Sequence, residues 1–413
     1  AGYYGTHDDS TAVGYAAGQY ATGSSNTFVG HSAGRGGTTS APYSSGENNV
    51  AMGFEALKVF TTGYRNNIIG YRAGYSTTTG FTNQYIGYYA GYYNTTGRAN
   101  TAIGANSQQG VSGQTTGQYN VSLGENSLFG LTSGNHNFVV GSNAGYSLTT
   151  GENNIIMGAS AGDALTSTSN SVIIGRAAGT AINSADANGV VLLGAYAGTA
   201  ITSGIGNTAI GTLALAAEDD GDYNTAVGYQ ALTAQTGVTG EVANTAVGWE
   251  AGLSLTTGKQ NTFIGKRAAG ATQDIDRAVA IGVEALGADV ATLAADGTVA
   301  VGWRAGYSIT SGIGNTALGY ESLYTENDGH YSTAIGFQAL KSQNSSAEVA
   351  NTAVGYQAAD HLTTGKLNVF MGAHAGSAIT TGGNNVAIGY GAMRYPTGLT
   401  GNVAIGWNAL TAM

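Results

Sequence analysis

The sequence predicts an all-β fold, a parallel β-solenoid (β-roll) of about 23 stacked coils, mostly 17 residues each, fibrous and continuous over residues 1–413. Three observations predict it. A glycine preceded by Val, Ile, Leu or Met recurs in 23 copies from Gly14 to Gly406, and 15 of the 22 intervals are 17 residues. Asn stands four residues before this anchor glycine in 17 copies. Ala stands three residues after it in 20 copies, with Ser107, Ser127 and Ser322 in the other three. The octet NTAVGYQA, spelled at 224–231 and again at 351–358, is two near-identical copies of this unit. A helical solenoid needs about 33 residues per repeat, and glycine at this density weakens helices.

Each position of the unit has its own chemistry. The Asn column is expected to stack its side-chain amides from coil to coil, satisfying polar groups that a thin core cannot leave unpaired. The residues three and one before the anchor, mostly Thr or Val and then an aliphatic, share one face of an extended segment. They are expected to point into the core. The anchor glycine turns the corner. Two residues later, five successive copies read Glu250, Arg267, Glu284, Arg304, Glu321. Coils stacked at roughly 4.8 Å place these opposite charges side by side, and Glu55 with Arg72 repeats the pattern. The Ala or Ser column marks a close approach of backbone to backbone. Most units close with TTG, TSG or NDG, a turn about seven residues ahead of the next anchor. From Gly175 onward every third coil carries two or three extra residues. The segments 232–243, 286–297 and 340–350 are therefore expected to protrude as longer loops, about 14 Å apart.

Composition narrows the function. Only 9% of residues are charged, where an ordinary globular surface carries about 25%. With 14 Lys and Arg against 24 Asp and Glu, the net charge of −10 speaks against nucleic acid as a partner. No cysteine is present, so disulfides and thiolate metal sites do not arise. The longest apolar runs, such as GVVLLGAYAG, are too short for a membrane-spanning helix, and no membrane insertion is expected. No signal peptide is visible.

Motifs that usually carry chemistry dissolve into the repeat. GHSAG (30–34) and GASAG (158–162) match the hydrolase nucleophile pattern, but other copies read GYAAG or GRAAG at the same positions. Ser32 and Ser160 are thus variable repeat positions. The six histidines form no close metal-ligand pair, and DDGD (219–222) reads as an acidic turn before it reads as a cation loop. Neither a metal nor a cofactor is expected, and no catalytic residue is assigned. The glycan-cleaving alternative, with carboxylates on adjacent coils, is singled out by no spacing.

The position just after the anchor is more informative. It is aromatic in 12 of 23 copies and holds all three tryptophans. Tyr229, Trp249, Trp303, Tyr320, Tyr356, Tyr390 and Trp407 are the candidate ligand-binding residues, an exposed edge on which sugars stack. The alternative is a ladder of rings packing coil on coil, or protomer on protomer. A second concentration, eight tyrosines between Tyr64 and Tyr93, admits the same two readings.

The unit NTAVGYQALTAQTG, with its variants NTAIG and TTG, resembles the repeats of phage tail-fibre proteins. It is similar, more distantly, to the head repeats of trimeric autotransporter adhesins, whose SVAIG core is matched by AVAIG at 278–282. The resemblance covers essentially all 413 residues. It implies extracellular homotrimeric fibres of parallel β-rolls that bind host surfaces, with copies of the chain itself and host surface glycans as partners. The expected function is a non-enzymatic shaft or receptor-binding segment of such a fibre. The alternatives are a bacterial surface adhesin or an end-to-end self-polymerising filament. An ice-binding solenoid ranks lower, because the Thr column is expected to face inward. The chain opens on Ala and both ends stop within a unit, so 1–413 reads as a segment of a longer fibre.

Overall fold

The computed structural model describes residues 8–184, 187–236, 239–287, 295–395 and 397–411. It is a parallel β-solenoid with no α-helix among these residues. Every coil contributes one three-residue strand placed immediately before its anchor glycine, and within each of two compact units successive strands pair parallel and in register. Thr225 lies opposite Thr245, Ala226 opposite Ala246, and Val227 opposite Val247. Two compact units are present, Ala1–Asn207 and Thr208–Met413. The first carries eleven strands, from Thr11–Val13 to Val191–Leu193. The second carries twelve three-residue strands, from Thr208–Ile210 to Val403–Ile405, and four two-residue ones.

The strands stop at three residues because the backbone turns hard at the anchor. Anchor glycines adopt φ between +124° and +145°, a region closed to side chains. A Cβ on Gly228 would sit 2.3 Å from the carbonyl oxygen of Gly248. Three further positions per coil are left-handed whatever residue occupies them, two and four residues after the anchor and five before it. Glu250, Arg267 and Gln260 there have φ of +55°, +52° and +60°. Glycine is required at one corner only; at the others, stacking holds ordinary residues in a conformation they rarely adopt alone.

The core corrects the expectation about which side chains face inward. The central strand residue, two before the anchor, is fully buried, as in Ala226, Ile173 and Phe263. The two columns flanking it point outward and are half-buried or exposed. The alternation of an extended strand is obeyed, but the aliphatic just before the anchor and the Thr or Val column lie on the outer face. The thin interior has room for one or two large side chains per coil, and coils supply them by exchange. In some coils with a central Ala, as at Ala226 and Ala334, a buried Leu stands four residues after the anchor, Leu232 and Leu340; in others, as at Ala246 and Ala300, that position is Gly and a buried Leu255 or Ile309 stands seven after the anchor. Where the central residue is Phe28, Tyr85 or Phe370, the position four after the anchor is Gly34, Gly91 or Gly376. A Cβ at those glycines would meet the ring at 2.2 to 2.5 Å.

The Asn column is a buried hydrogen-bonded ladder. The backbone N–H of Asn137 donates to Asn120 Oδ1 at 2.9 Å. Its Nδ2 donates to the same oxygen at 3.1 Å and to the Gly151 carbonyl at 2.9 Å. The pattern repeats at Asn66, Asn83, Asn261 and Asn368, so each amide uses two donors and one doubly accepting oxygen. Such complete satisfaction is what permits a polar side chain inside a core this thin.

The longer loops are tied down where they are described, rather than free. Gly240–Glu241 pairs parallel with Gly221–Asp222, and Ala347–Glu348 with Gly329–His330. Beneath each pair lies a buried glutamate. Gln235 Nε2 donates to Glu218 Oε2 at 2.6 Å and the Gly221 N–H to Glu218 Oε1 at 2.8 Å. Gln343 Nε2 donates to Glu326 Oε2 at 2.7 Å and the Gly329 N–H to Glu326 Oε1 at 2.8 Å. Of segment 286–297, residues 288–294 lie outside the described residues.

Candidate binding surface: aromatic stacks and polar clefts

Because the residue after the anchor leaves the same corner in every coil, aromatic side chains there meet face to face. In the second unit Trp303, Tyr320, Phe337 and Tyr356 form one continuous stack. Successive centroids are 4.7, 5.1 and 5.3 Å apart, with interplanar angles of 17°, 9° and 10°. Ala373 interrupts the column, and the ring of His374 enters the gap edge-on, 5.3 Å from Tyr356 and 6.0 Å from Tyr390. Tyr229, Trp249 and Trp407 occupy the same column and are exposed, Lys266 lying over the Trp249 ring at 5.1 Å. The first unit repeats the device with Tyr15, His31, Phe54, Tyr71 and Tyr88 at 5.0 to 5.3 Å. The rings stay accessible at their edges, Tyr356 being half exposed at 50%. Their faces, however, are largely covered by their neighbours.

The charged column beside the rings stacks as the alternation requires. Arg72 Nε donates to Glu55 Oε2 at 2.7 Å, Arg304 Nε to Glu284 Oε2 at 2.7 Å, and Arg267 pairs with Glu250 at 3.3 Å. Burial opposes ionisation of Glu55, but Lys58 at 2.5 Å together with Arg72 holds its carboxyl below its ordinary value. Arg72 and Arg304 also lie over Tyr71 and Trp303, at 5.4 and 4.5 Å. Ion pair and ring stack thus reinforce each other.

The tyrosines of 64–93 divide between core and surface. Tyr85 is fully buried, its hydroxyl accepting from Asn94 Nδ2 at 2.6 Å, and burial pushes its phenol well above the ordinary range. Tyr71, Tyr75, Tyr88, Tyr89, Tyr92 and Tyr93 form a surface cluster of stacked and edge-on rings around Arg72. Ser32 and Ser160 occupy the same left-handed corner as Glu250 and Arg267 in other coils. In the acidic turn, oxygens of Glu218, Asp219 and Asp220 lie within 4.8 Å of one another, but those of Glu218 are taken up by protein donors. Burial raises the Glu218 carboxyl above its ordinary value. Glu218 itself was not flagged by sequence; its only signal is that ENDG at 326–329 repeats EDDG at 218–221.

Two clefts are the features that sequence reasoning did not reach. One, about 530 Å³, is lined by Asn126, Asn143, Tyr146, Ser147, Asp163 and Ala164. The other, about 430 Å³, includes Gln357, Asp360, His361, His374, Arg394 and Tyr395. Both draw on the positions two, five and six residues after three successive anchors, Gly124, Gly141 and Gly158 or Gly355, Gly372 and Gly389. The first opens where Asp163 follows the rings of Phe129 and Tyr146 five residues after the anchor, the second where Ala378 stands between His361 and Tyr395 six residues after it. In the second cleft the His361 Nδ1 lies 2.9 Å from the Ser377 carbonyl and 3.1 Å from Asp360.

No protein-family model matches the chain, and no curated protein matches it. No helix among the described residues is long and apolar enough to cross a membrane.

Proposed function

We propose that the chain is a non-enzymatic shaft or receptor-binding segment of an extracellular fibre of the phage tail-fibre kind, used for attachment to a host surface. In this reading, copies associate side by side through the outer face of the sheet, three to an assembly. One observation carries it. The outward columns are Thr, Val and Ile, with a few other uncharged residues, in every coil, and none of the 23 principal strands contains a charged residue. Ile264, Leu318 and Met371 remain about 40% exposed on this face. A single soluble chain rarely leaves so long an apolar stripe uncovered. Because each coil repeats the last, another copy of the same face matches it coil for coil. Light scattering or native mass spectrometry tests the assembly: a trimer is expected, and a monodisperse monomer overturns it.

The outward Thr column favours a second reading, since Thr208, Thr225, Thr245 and Thr262 stand in register and half-buried on the outer sheet face. Ice binding through that array predicts thermal hysteresis by a monomer. Hysteresis from a monomer would replace the fibre reading.

A further inference from the structure

We infer that the cleft beside Tyr146 is a saccharide site. The ring takes the C–H face of a neutral sugar, while Asp163, Asn126 and Asn143 take its hydroxyls. A pyranose needs a free aromatic face, and the column after the anchor offers few, because its rings cover one another. Free faces occur where a stack ends, and several stack ends are covered. Arg98 lies over Phe81 at 5.6 Å at the end of the Tyr64–Phe81 pair. Lys341 lies over Tyr324 at 6.0 Å at the end of the Tyr307–Tyr324 pair. His374 meets Tyr356 edge-on.

Tyr146 differs. One face rests on Phe129, with centroids 4.8 Å apart and planes 2° from parallel. In the next coil the equivalent position is Asp163, and among the described residues no ring or cation covers the other face. The cleft of about 530 Å³ opens there, within the range that holds small ligands.

The polar groups along this cleft suit hydroxyls. Asn106 Nδ2 donates to Asn126 Oδ1 at 3.0 Å, and Asn126 Nδ2 to Asn143 Oδ1 at 3.0 Å. The ladder ends at Asn143, whose own Nδ2 has no protein acceptor among the described residues and lines the cleft. A donor and a carboxylate acceptor thus stand beside one aromatic platform. Burial also holds Asp163 above its ordinary value, as expected of a carboxylate with no cation beside it. Asp163 is the one charged residue in the lining. A carboxylated sugar therefore meets repulsion there, and a neutral one does not.

The inference rests on the attachment reading for the source of the ligand, not on the oligomeric state. Isothermal titration of the full chain with glucan, galactan and mannan oligosaccharides, and with an oligogalacturonate of equal length, tests it. Saturable binding of at least one neutral series at roughly millimolar affinity is expected, with none by the galacturonate. Tyr146→Ala should weaken binding about tenfold and Asp163→Asn several-fold, with unchanged circular dichroism. Tyr307→Ala, which removes a ring already covered by Tyr324 and Arg304, should leave binding unchanged. The inference is overturned if no neutral series binds or the galacturonate binds equally well. It also fails if neither Tyr146→Ala nor Asp163→Asn affects binding. A trimer that binds no saccharide removes only this inference, and a monomer that binds removes only the assembly.

Discussion

At the scale of the residue, the anchor glycine is the position the fold tolerates least. Gly228→Ala places a methyl 2.3 Å from the Gly248 carbonyl oxygen at φ +140°, so two coils must part or the corner must open. A loss of about 3 kcal/mol or more is expected in denaturant unfolding, well beyond the cost of an ordinary surface substitution. The charged column makes a gentler and pH-dependent prediction. Glu55 is held below its ordinary value by Lys58 and Arg72 against the opposing effect of burial. Its contribution is therefore present above the carboxyl's unfolded value, near pH 4.3, and is lost as pH falls through the lower folded value. Glu55→Gln should cost about 1 kcal/mol at pH 7. The gap between variant and parent should narrow as pH falls below the unfolded value; melting curves in which the gap stays constant throughout the acid range would refute the pairing.

At the scale of the element, the coil is defined by which positions were legible and which were not. The anchor, the Asn ladder and the alternating charges were readable because each is a demand that stacking places on every coil equally. The inward face was not legible: the position that is aliphatic in all 23 copies lies on the outer face, whereas the central residue, which varies from Ala226 to Phe263, is the buried one. It varies because a residue four after the anchor compensates, Leu232 beside Ala226 and Gly376 beside Phe370, and compensation erases a column's signature. The clefts were invisible for a related reason: they depend on what three neighbouring coils omit. The buried glutamates give this scale its prediction. Glu326 joins Gln343, the Gly329 N–H and, at 3.3 Å, the Ser345 N–H. Glu326→Ala leaves these donors unpaired in the interior and should cost about 2–4 kcal/mol. Hydrogen exchange should rise selectively in the paired segments Gly329–His330 and Ala347–Glu348. Protection retained there would show that the loop is held by other contacts.

At the scale of the whole molecule, the outer sheet face carries side chains that do little for the chain that bears them. Val247 and Ile264 flank the buried Ala246 and Phe263 and lie on the outer face, with Ile264 39% exposed. Changing them removes no core packing and no ladder bond, because the strand pairs through its backbone. Val247→Lys with Ile264→Lys should therefore shift the melting temperature of an isolated chain only slightly, within the usual surface range of about 0.5 kcal/mol. In an assembly joined through this face, the same two lysines lie in an apolar seam beside their symmetry copies, where each charge is desolvated and meets its like. Association should fall by several orders of magnitude, and sedimentation should show trimer giving way to monomer at concentrations where the parent stays assembled. Lysines placed instead at Asn153 and Leu367, on the left-handed corner five residues before an anchor, should leave assembly intact. If the corner lysines break the assembly and the strand lysines do not, the seam lies on the corner and the outer sheet face must have another use.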